Sequence, residues 1–214
     1  MTRHLVWDWN GTLLDDLTLC VIATNTCLAM VGGPQITAED HRRDFRRPVV
    51  DYYSFVLGRP VDASEFQRLD EAFHDAYRLG LATCALTADA LEAMANWGGS
   101  QSLLSMFFHD ELMVEVDRHG LRPRLSRVDG LPGTVGGQRK AAFLAAHLSA
   151  LDIPARDVVL IGDSVDDGDA AAAVGAACVL YAGGFTHESH LRATGLPVAT
   201  SLVEAVRIAS EVNV

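Results

Sequence analysis

The sequence predicts a doubly wound α/β fold, with a mostly parallel sheet and a helical insert after its first strand. From about residue 84 onward, short apolar segments alternate with helical ones, and this alternation is typical of a parallel sheet covered on both faces. Between about residues 15 and 83 the pattern is helical only, with Leu69, Phe73 and Tyr77 at helical spacing. We therefore expect a Rossmann-like core domain from residues 1–14 and 84–214, and a helical cap domain from residues 15–83.

The first strand is expected at about residues 4–8 and ends at Asp8, because Asn10-Gly11 is a strong turn signal. This turn would leave the backbone N–H groups of residues 9–11 free for an anion. Asp15 or Asp16 can cap the helix that follows, and Thr37 can cap the next. Further strands are expected at about residues 102–106, 125–128, 158–161, 177–181 and 196–199, and helices at about 87–95, 138–151 and 203–212, with an alanine-rich helix ending at Val174.

The composition disfavours two classes of partner. Acidic residues outnumber basic ones 28 to 17, for a net charge of −11, so a nucleic-acid partner is not expected. No uninterrupted apolar run approaches the length of a membrane span, and we expect a soluble cytoplasmic protein. The four cysteines lack Cys-x-x-Cys spacing, which indicates reduced core residues. The oligomeric state cannot be predicted from this sequence.

Two features point to chemistry at the strand ends. Residues 162–169 read Gly-Asp-Ser-Val-Asp-Asp-Gly-Asp and place four carboxylates within seven residues after an apolar strand. Like charges this close favour a bound cation such as Mg²⁺, although acids can also simply cap the helix that follows. Lys140 is the only lysine beside 16 arginines. A compact ammonium between a carboxylate and a phosphate could not be replaced by arginine, but a chance survivor of an arginine-rich composition is the alternative.

Together these motifs resemble those of the haloacid dehalogenase superfamily. Asp8-Trp9-Asn10-Gly11-Thr12 is similar to its Asp-x-Asp-Gly-Thr motif, with Asn10 as the one departure. The stretch that contains Asp163 and Asp167 is similar to its Gly-Asp-x-x-x-Asp motif. Ser105 and Lys140 occupy the positions of its phosphate-binding serine or threonine and of its lysine. The helical insert lies where many phosphatases of this superfamily carry a cap, and it looks most like that of the phosphoglycolate phosphatase group.

The resemblance implies a phosphatase in which Asp8 attacks phosphorus and forms an aspartyl-phosphate that water then cleaves. It implies that Mg²⁺ is held by the Asp8 carboxylate, the Asn10 backbone carbonyl and the Asp163 carboxylate, with Asp167 in support. Dehalogenases of the superfamily need no Mg²⁺, which would leave the acidic cluster unexplained. Its phosphonate-cleaving members need a lysine in the cap, but residues 15–83 contain none, and its ion pumps need membrane spans, which are not expected here. Hydrolysis of a phosphate ester of a small metabolite is therefore the expected activity.

The phosphoryl oxygens are expected to meet the backbone N–H groups of Trp9 and Gly11 and the side chains of Thr12, Ser105 and Lys140. This set comes partly from the turn at Asn10-Gly11 and partly from the resemblance. Apart from Lys140, which opens the helix ahead of the acidic strand, these residues are predicted to lie at the carboxyl ends of strands, where ligands bind in open α/β sheets.

Asn10 stands where the superfamily has the aspartate that protonates the leaving alcohol. A carboxamide cannot transfer a proton at neutral pH, and positioned acid–base catalysis contributes about 10²- to 10⁴-fold. A slow phosphatase, or one restricted to good leaving groups, is expected. The alternative is a catalytically impaired protein that binds a phosphorylated ligand or partner. Asp15 and His109 are candidate substitute acids, although a capping or surface role is the simpler interpretation of each.

Four arginines, Arg42, Arg43, Arg46 and Arg47, stand out in the acidic insert. Arg46 and Arg47 could clamp a substrate carboxylate or second phosphate, or the group could be a solvated helix face. His187-Glu188-Ser189-His190 lacks the spacing of a metalloprotease motif and is predicted to be a polar loop.

Overall fold

The computed structural model describes residues 3–133 and 139–212. In this part of the chain six parallel strands form one sheet in the order β3-β2-β1-β4-β5-β6. The strands are β1 (His4–Trp7), β2 (Gln101–Phe108), β3 (Val128–Leu131), β4 (Val158–Gly162), β5 (Ala177–Tyr181) and β6 (Val198–Ala199). The doubly wound α/β class predicted from the sequence is confirmed.

Among the described residues, four helices of the insert follow β1, and six further helices come after the insert. The first four are α1 (Leu17–Met30), α2 (Ala38–Asp44), α3 (Val49–Leu57) and α4 (Ala63–Leu81). The others are α5 (Ala90–Asn96), α6 (His109–Arg118), α7 (Ala141–Leu151), α8 (Val165–Val174), α9 (Glu188–Ala193) and α10 (Leu202–Glu211). Among the described residues, no helix combines the length and apolar character needed to cross a bilayer.

Both faces of the sheet are buried, because alternate strand residues point to opposite sides. In β1, Leu5 and Trp7 belong to a core cluster shared with α5, α6 and α10, whereas Val6 belongs to a second cluster shared with α7, α8 and α9. The apolar strands lack an exposed face, which explains why they read as continuous apolar runs in the sequence.

The inserted helices have an apolar cluster of their own, and α1 packs against α4. That cluster contains Cys27, Leu28, Tyr52, Tyr53, Val61 and Leu69. Other insert residues, such as Leu19 and Tyr77, join the core cluster of the sheet. The division into domains at residues 14/15 and 83/84 stays a prediction.

Several element boundaries differ from those expected. The strand expected at residues 125–128 is β3 at Val128–Leu131, and the last strand shrinks to two residues. The helix expected from Gln138 begins at Ala141, and Gln138 itself lies outside the described residues. The predicted polar loop around His187 is wrong: His187 is the N-cap of α9. Helices α3 and α6 lie where the apolar pattern predicted none.

Candidate active site

The central strands place two carboxylates side by side. Asp8 directly follows β1 and Asp163 directly follows β4, and these strands pair in parallel with Trp7 opposite Ile161. The chain leaves β1 toward β2 on one side and returns with β4 on the other, so their carboxyl ends form the switch point of the sheet, where ligands bind in such folds. The site therefore lies where the sequence predicted it.

A third carboxylate completes the cluster. Carboxylate oxygens of Asp8, Asp163 and Asp167 all lie within 4.8 Å of one another, and all three residues are buried. Burial raises the pKa of Asp8 to about 6, with Asp167 contributing and Lys140 opposing. Burial also raises the pKa of Asp163 well above its usual range, and the Asp8 and Asp167 charges add to this. Each shift reflects negative charge that the protein compensates only in part.

Lys140 is the ammonium inside this cluster. Its Nζ hydrogen-bonds to Oδ1 of Asp8 and Oδ1 of Asp167, and its backbone N–H donates to Asp166 Oδ2 at 3.0 Å. Burial alone would lower the pKa of Lys140, but the Asp167 and Asp8 carboxylates outweigh burial and raise it. The side chain is 3% exposed. The only lysine of the chain thus lies between two carboxylates, and its expected contact with a phosphate stays a prediction.

The donor set suits a divalent cation. Three buried carboxylates and one ammonium leave two negative charges without a cation, and carboxylate oxygens are the ligands that Mg²⁺ prefers. Asp167 has the least freedom, because its Oδ2 accepts hydrogen bonds from the backbone N–H and hydroxyl of Ser164 in the capping box of α8. Asp8 accepts from the Lys140 ammonium through Oδ1, and both Asp163 oxygens accept from Thr12 and Phe185. The Asn10 backbone carbonyl as a ligand stays a prediction.

Two glycines allow the backbone to approach Asp163. Gly11 has a φ of +70°, and a Cβ there would lie 2.5 Å from Asp163 Oδ2. A Cβ on Gly184 would lie 2.2 Å from the same oxygen. The neighbouring Phe185 N–H donates to this oxygen at 2.5 Å. The loop after β5 thus holds the Asp163 carboxylate in place, a role for which the sequence carries no local signal.

The hydroxyl groups expected to bind phosphate lie beside the cluster. The Thr12 hydroxyl donates to Asp163 Oδ1 at 3.3 Å and is fully buried. The Ser105 hydroxyl donates to Asn10 Oδ1 at 3.3 Å and accepts from the Phe107 N–H at 3.0 Å. Both side chains therefore lie next to the residues of the predicted site, but each already has a partner within the protein.

The expectation of a free N–H at Gly11 is wrong. This N–H donates to Asp16 Oδ1 at 2.7 Å, so a carboxylate of the chain itself occupies it. The Thr12 N–H is also engaged, by the Trp9 carbonyl at 3.2 Å. The backbone of Trp9 instead hydrogen-bonds to the Asp8 carboxylate and lowers the pKa of that group against the larger effect of burial.

Asp16 was expected to cap α1 but does not. It occupies the N-cap position of that helix without a side-chain capping bond. Its Oδ2 accepts from Asn10 Nδ2 at 2.8 Å and from the Tyr77 hydroxyl at 2.5 Å. Asn10 Nδ2 also donates to the Tyr77 oxygen at 2.9 Å. Burial raises the pKa of Asp16 to about 6, and these hydrogen bonds restrain the shift.

The arginines of the insert separate into different roles. Arg47 lines the cavity above Asp8, whereas Arg46 is exposed, lies over the Phe55 ring at 4.1 Å and donates to the Asp44 carbonyl. Arg42 Nε donates to the Gly184 carbonyl at 2.9 Å, and its Nη2 donates to the Gly183 carbonyl at 3.2 Å. Of the two arginines predicted to bind a substrate anion, Arg47 lines the cavity above Asp8 and Arg46 does not.

Two adjoining cavities that share wall residues occupy the region between the sheet and the insert. The smaller, of about 30 Å³, lies over the carboxylate cluster and Lys140. The larger, of about 90 Å³, extends into the insert and is lined by aromatic side chains and by Asp16. Five residues line both cavities: Asn10, Phe45, Arg47, Met106 and Phe185. The substitute acids proposed from the sequence, Asp15 and His109, line neither cavity.

Comparison with known proteins agrees with this architecture. Residues 135–205 match a family model described as "HAD-hyrolase-like". A predicted phosphatase from Clostridium acetobutylicum superposes with a TM-score of 0.86 at 14% identity, covering 99% of this chain and 100% of that one. A haloacid dehalogenase-like family hydrolase from Streptococcus pneumoniae gives a TM-score of 0.83 at 14% identity, covering 96% and 97%. The chain therefore has the same fold as these hydrolases, and its residues 135–205 match the HAD-like family model.

A further solved structure is similar over nearly the whole chain. A predicted phosphoglycolate phosphatase from Haemophilus somnus has a TM-score of 0.75 at 16% identity, covering 97% of each chain. No curated protein matches the sequence. The fold brings Asp8, Lys140, Asp163 and Asp167 together from sequence positions up to 159 residues apart.

Proposed function

We propose that the protein is a Mg²⁺-dependent phosphomonoesterase that works through an aspartyl-phosphate on Asp8. The observation that carries the proposal is the buried cluster of Asp8, Asp163 and Asp167 around Lys140 at the carboxyl ends of β1 and β4. The predicted phosphatase and predicted phosphoglycolate phosphatase among the fold neighbours support the hydrolytic class. They lend no support to the alternative of a protein that only binds a phosphorylated ligand.

In the proposed reaction, an Asp8 carboxylate oxygen attacks phosphorus and the bond from phosphorus to the ester oxygen breaks. The Lys140 ammonium holds Asp8 in position and neutralises the phosphoryl oxygens as charge moves onto them. Water then attacks the phosphorus of the aspartyl-phosphate, which releases inorganic phosphate and regenerates Asp8. When bound by Asp8 and Asp163, Mg²⁺ would offset the repulsion between the attacking carboxylate and the phosphate.

The departing oxygen receives no proton from Asn10. The Asn10 amide nitrogen donates hydrogen bonds to the Asp16 and Tyr77 oxygens, and its side-chain carbonyl accepts from Ser105. A carboxamide also has no proton to transfer at neutral pH. The leaving group must therefore depart as an anion or take a proton from water, so the reaction favours alcohols of low pKa.

Phosphate release from phenyl phosphate, measured with Mg²⁺ and with EDTA, tests the proposal. We expect release that depends on Mg²⁺ and a phosphorylated protein that is trapped by acid quench and discharged by hydroxylamine. Release without any acid-stable phosphoprotein would contradict the aspartyl-phosphate, and release unchanged by EDTA would contradict the metal site.

A further inference from the structure

We propose that the substrate is a phosphate monoester of an uncharged aromatic alcohol, with its ring in the larger cavity and its phosphate over Asp8. This inference rests on the proposed function, because it names the leaving group that the same site accepts. It differs from the short anionic substrate that the phosphoglycolate phosphatase-like fold neighbour suggests.

The larger cavity lies next to the space above Asp8. Asn10, Phe45 and Phe185 line both cavities, so the larger cavity directly adjoins the space above Asp8. A phosphoryl group at Asp8 would therefore direct its ester oxygen and leaving group past Asn10 into the larger cavity. The leaving group, rather than the phosphate, is what this cavity selects.

The walls of the larger cavity are mainly aromatic. Tyr52 and Tyr53 come from α3, Phe73 and Tyr77 from α4, and Phe107 from the end of β2. Phe73 and Tyr77 stack with ring centroids 5.8 Å apart, and Tyr77 meets Phe107 edge-on at 5.7 Å. Aromatic rings pack favourably in stacked and edge-to-face arrangements, so this lining suits a ring more than a hydrated or charged group.

The charges around the cavity disfavour an anionic leaving group. Asp16 and Asp70 line it and are buried, while Arg47 is shared with the cavity over Asp8. Burial lowers the pKa of His41 to about 4, so this lining residue is neutral at pH 7. A carboxylate or second phosphate in the cavity would face two carboxylates in a region of low dielectric, which is costly.

One polar atom of the lining lacks a partner. His74 Nδ1 is buried and has no hydrogen-bond partner in the described part of the chain, while His74 Nε2 lies 3.6 Å from Asp70 Oδ1. Buried polar atoms are nearly always satisfied by protein, water or ligand. A single polar substituent on the ring would satisfy this nitrogen.

The chemistry of Asn10 supports the same substrate class independently. Phenols ionise with a pKa of about 10, as tyrosine does, whereas water ionises with a pKa of about 15.7. An aryl phosphate can therefore release its leaving group as an anion without the proton that Asn10 cannot supply. The aromatic lining of the cavity and the amide in place of an acid at position 10 would then both suit a phenolate leaving group.

Binding of non-hydrolysable phosphonates in the presence of Mg²⁺ tests the ring preference without requiring turnover. We expect phenylphosphonate to bind about tenfold more tightly than methylphosphonate, as burial of a ring predicts, and phosphonoacetate to bind more weakly than phenylphosphonate. Equal binding of all three, tighter binding of phosphonoacetate, or no binding would overturn the inference.

Substitutions at Val49 test whether the aromatic ring of the ligand occupies the larger cavity. Val49 and Val50 are both half-buried and both pack against the apolar cluster of the insert, but Val49 lines the larger cavity and Val50 does not. We expect Val49→Phe to remove the preference for phenylphosphonate while leaving methylphosphonate binding unchanged, and Val50→Phe to retain the preference. Val49→Ala should admit the larger naphthylphosphonate even if Val49→Phe does not fold. A preference insensitive to both Val49 variants would overturn the placement.

Turnover separates this inference from the proposed function. A higher kcat/KM for phenyl phosphate than for phosphoglycolate would support both. Phosphate release with equal kcat/KM for the two would overturn the ring preference and leave hydrolysis supported. Preferential binding of phenylphosphonate without any phosphate release would overturn hydrolysis and leave the ring preference supported.

Discussion

Asn10 Nδ2 donates a hydrogen bond to Asp16 Oδ2 at 2.8 Å, and this contact explains why an amide occupies the position of the superfamily's acid. Asp16 is fully buried, and its other neighbours are the Gly11 N–H and the Tyr77 hydroxyl. An amide nitrogen is a suitable partner for a buried carboxylate, whereas an aspartate at position 10 would place two carboxylates in contact. Asn10 and Asp16 are best regarded as one unit.

The first prediction concerns variants that exchange the amide of Asn10 and the carboxylate of Asp16. In Asn10→Asp the two carboxyl groups would share a proton, so a gain in activity toward alkyl phosphates should be small at pH 7. In the double variant Asn10→Asp/Asp16→Asn the repulsion is removed, and we expect kcat/KM for alkyl phosphates to rise by on the order of 10²-fold, with little change for phenyl phosphate. A single variant as active as the double variant would contradict the pairing.

The second prediction concerns the nucleophile. Asp8→Asn removes the attacking oxygen anion, so phosphate release and phosphoprotein formation should fall below detection. Asp169→Asn is the matched control, because Asp169 is an exposed acid of the same acidic stretch and lies outside the cluster. Equal loss in both variants would assign the effect to the general charge of the region instead of Asp8.

The third prediction concerns the buried ammonium. Lys140→Met leaves the Asp8 and Asp167 carboxylates without their cation, and we expect a loss of about 3 to 5 kcal/mol in the free energy of unfolding. Urea denaturation without Mg²⁺ measures it, and added Mg²⁺ should recover part of the loss. Arg139→Met is the control, since the Arg139 side chain is 59% exposed and its ion pairs are 3.7 Å or longer. A loss of equal size in both variants would contradict the buried role.

The fourth prediction separates two neighbouring arginines. Arg47 lines both cavities, whereas Arg46 is exposed and lies over Phe55. We expect Arg47→Ala to raise KM for phenyl phosphate about tenfold through loss of a charge near the phosphate, and Arg46→Ala to leave KM unchanged. An equal effect of both substitutions would indicate a general electrostatic field around the site.

The fifth prediction concerns stability and pH. The pKa of His41 is lowered to about 4 by burial, with a smaller effect of Arg42, while an unfolded histidine titrates near 6.5. Between these pH values the unfolded chain binds the extra proton, so stability falls as the pH drops from about 6.5 to 4. The contribution of His41 to this fall is about 3 kcal/mol.

The variant His41→Phe should remove this part of the pH dependence, because a phenyl ring can stack on Phe45 without titrating. Urea midpoints at pH 4, 5, 6 and 7 provide the measurement. An unchanged slope between pH 4 and 6.5 in the variant would show that other groups account for the acid sensitivity.

The sequence was sufficient for the fold and for the charged centre of the site. Alternating apolar segments predicted the parallel sheet, and the strand-end positions of Asp8 and Asp163 predicted their proximity, because both inferences depend on local pattern. The single lysine was also informative, since a buried ammonium between carboxylates is a role arginine fills poorly.

The sequence was insufficient where a role depends on contacts between distant residues. Asp16 looks like a helix cap until Tyr77, 61 positions away, is placed beside it. Gly184 is an ordinary loop glycine until the loop after β5 is packed against Asp163. The larger cavity depends on the relative packing of α3, α4 and the end of β2, and no local pattern encodes that packing.

The contact of Arg42 with the carbonyls of Gly183 and Gly184 has a thermodynamic consequence. The same short loop holds Asp163 through the Phe185 N–H, so the insert and the cation site share one structural support. If the insert moves to admit substrate, the support of Asp163 must change with it. Cation and organic phosphate would then each change the other's affinity by the same factor, so the dissociation constant of either one would depend on whether the other is bound.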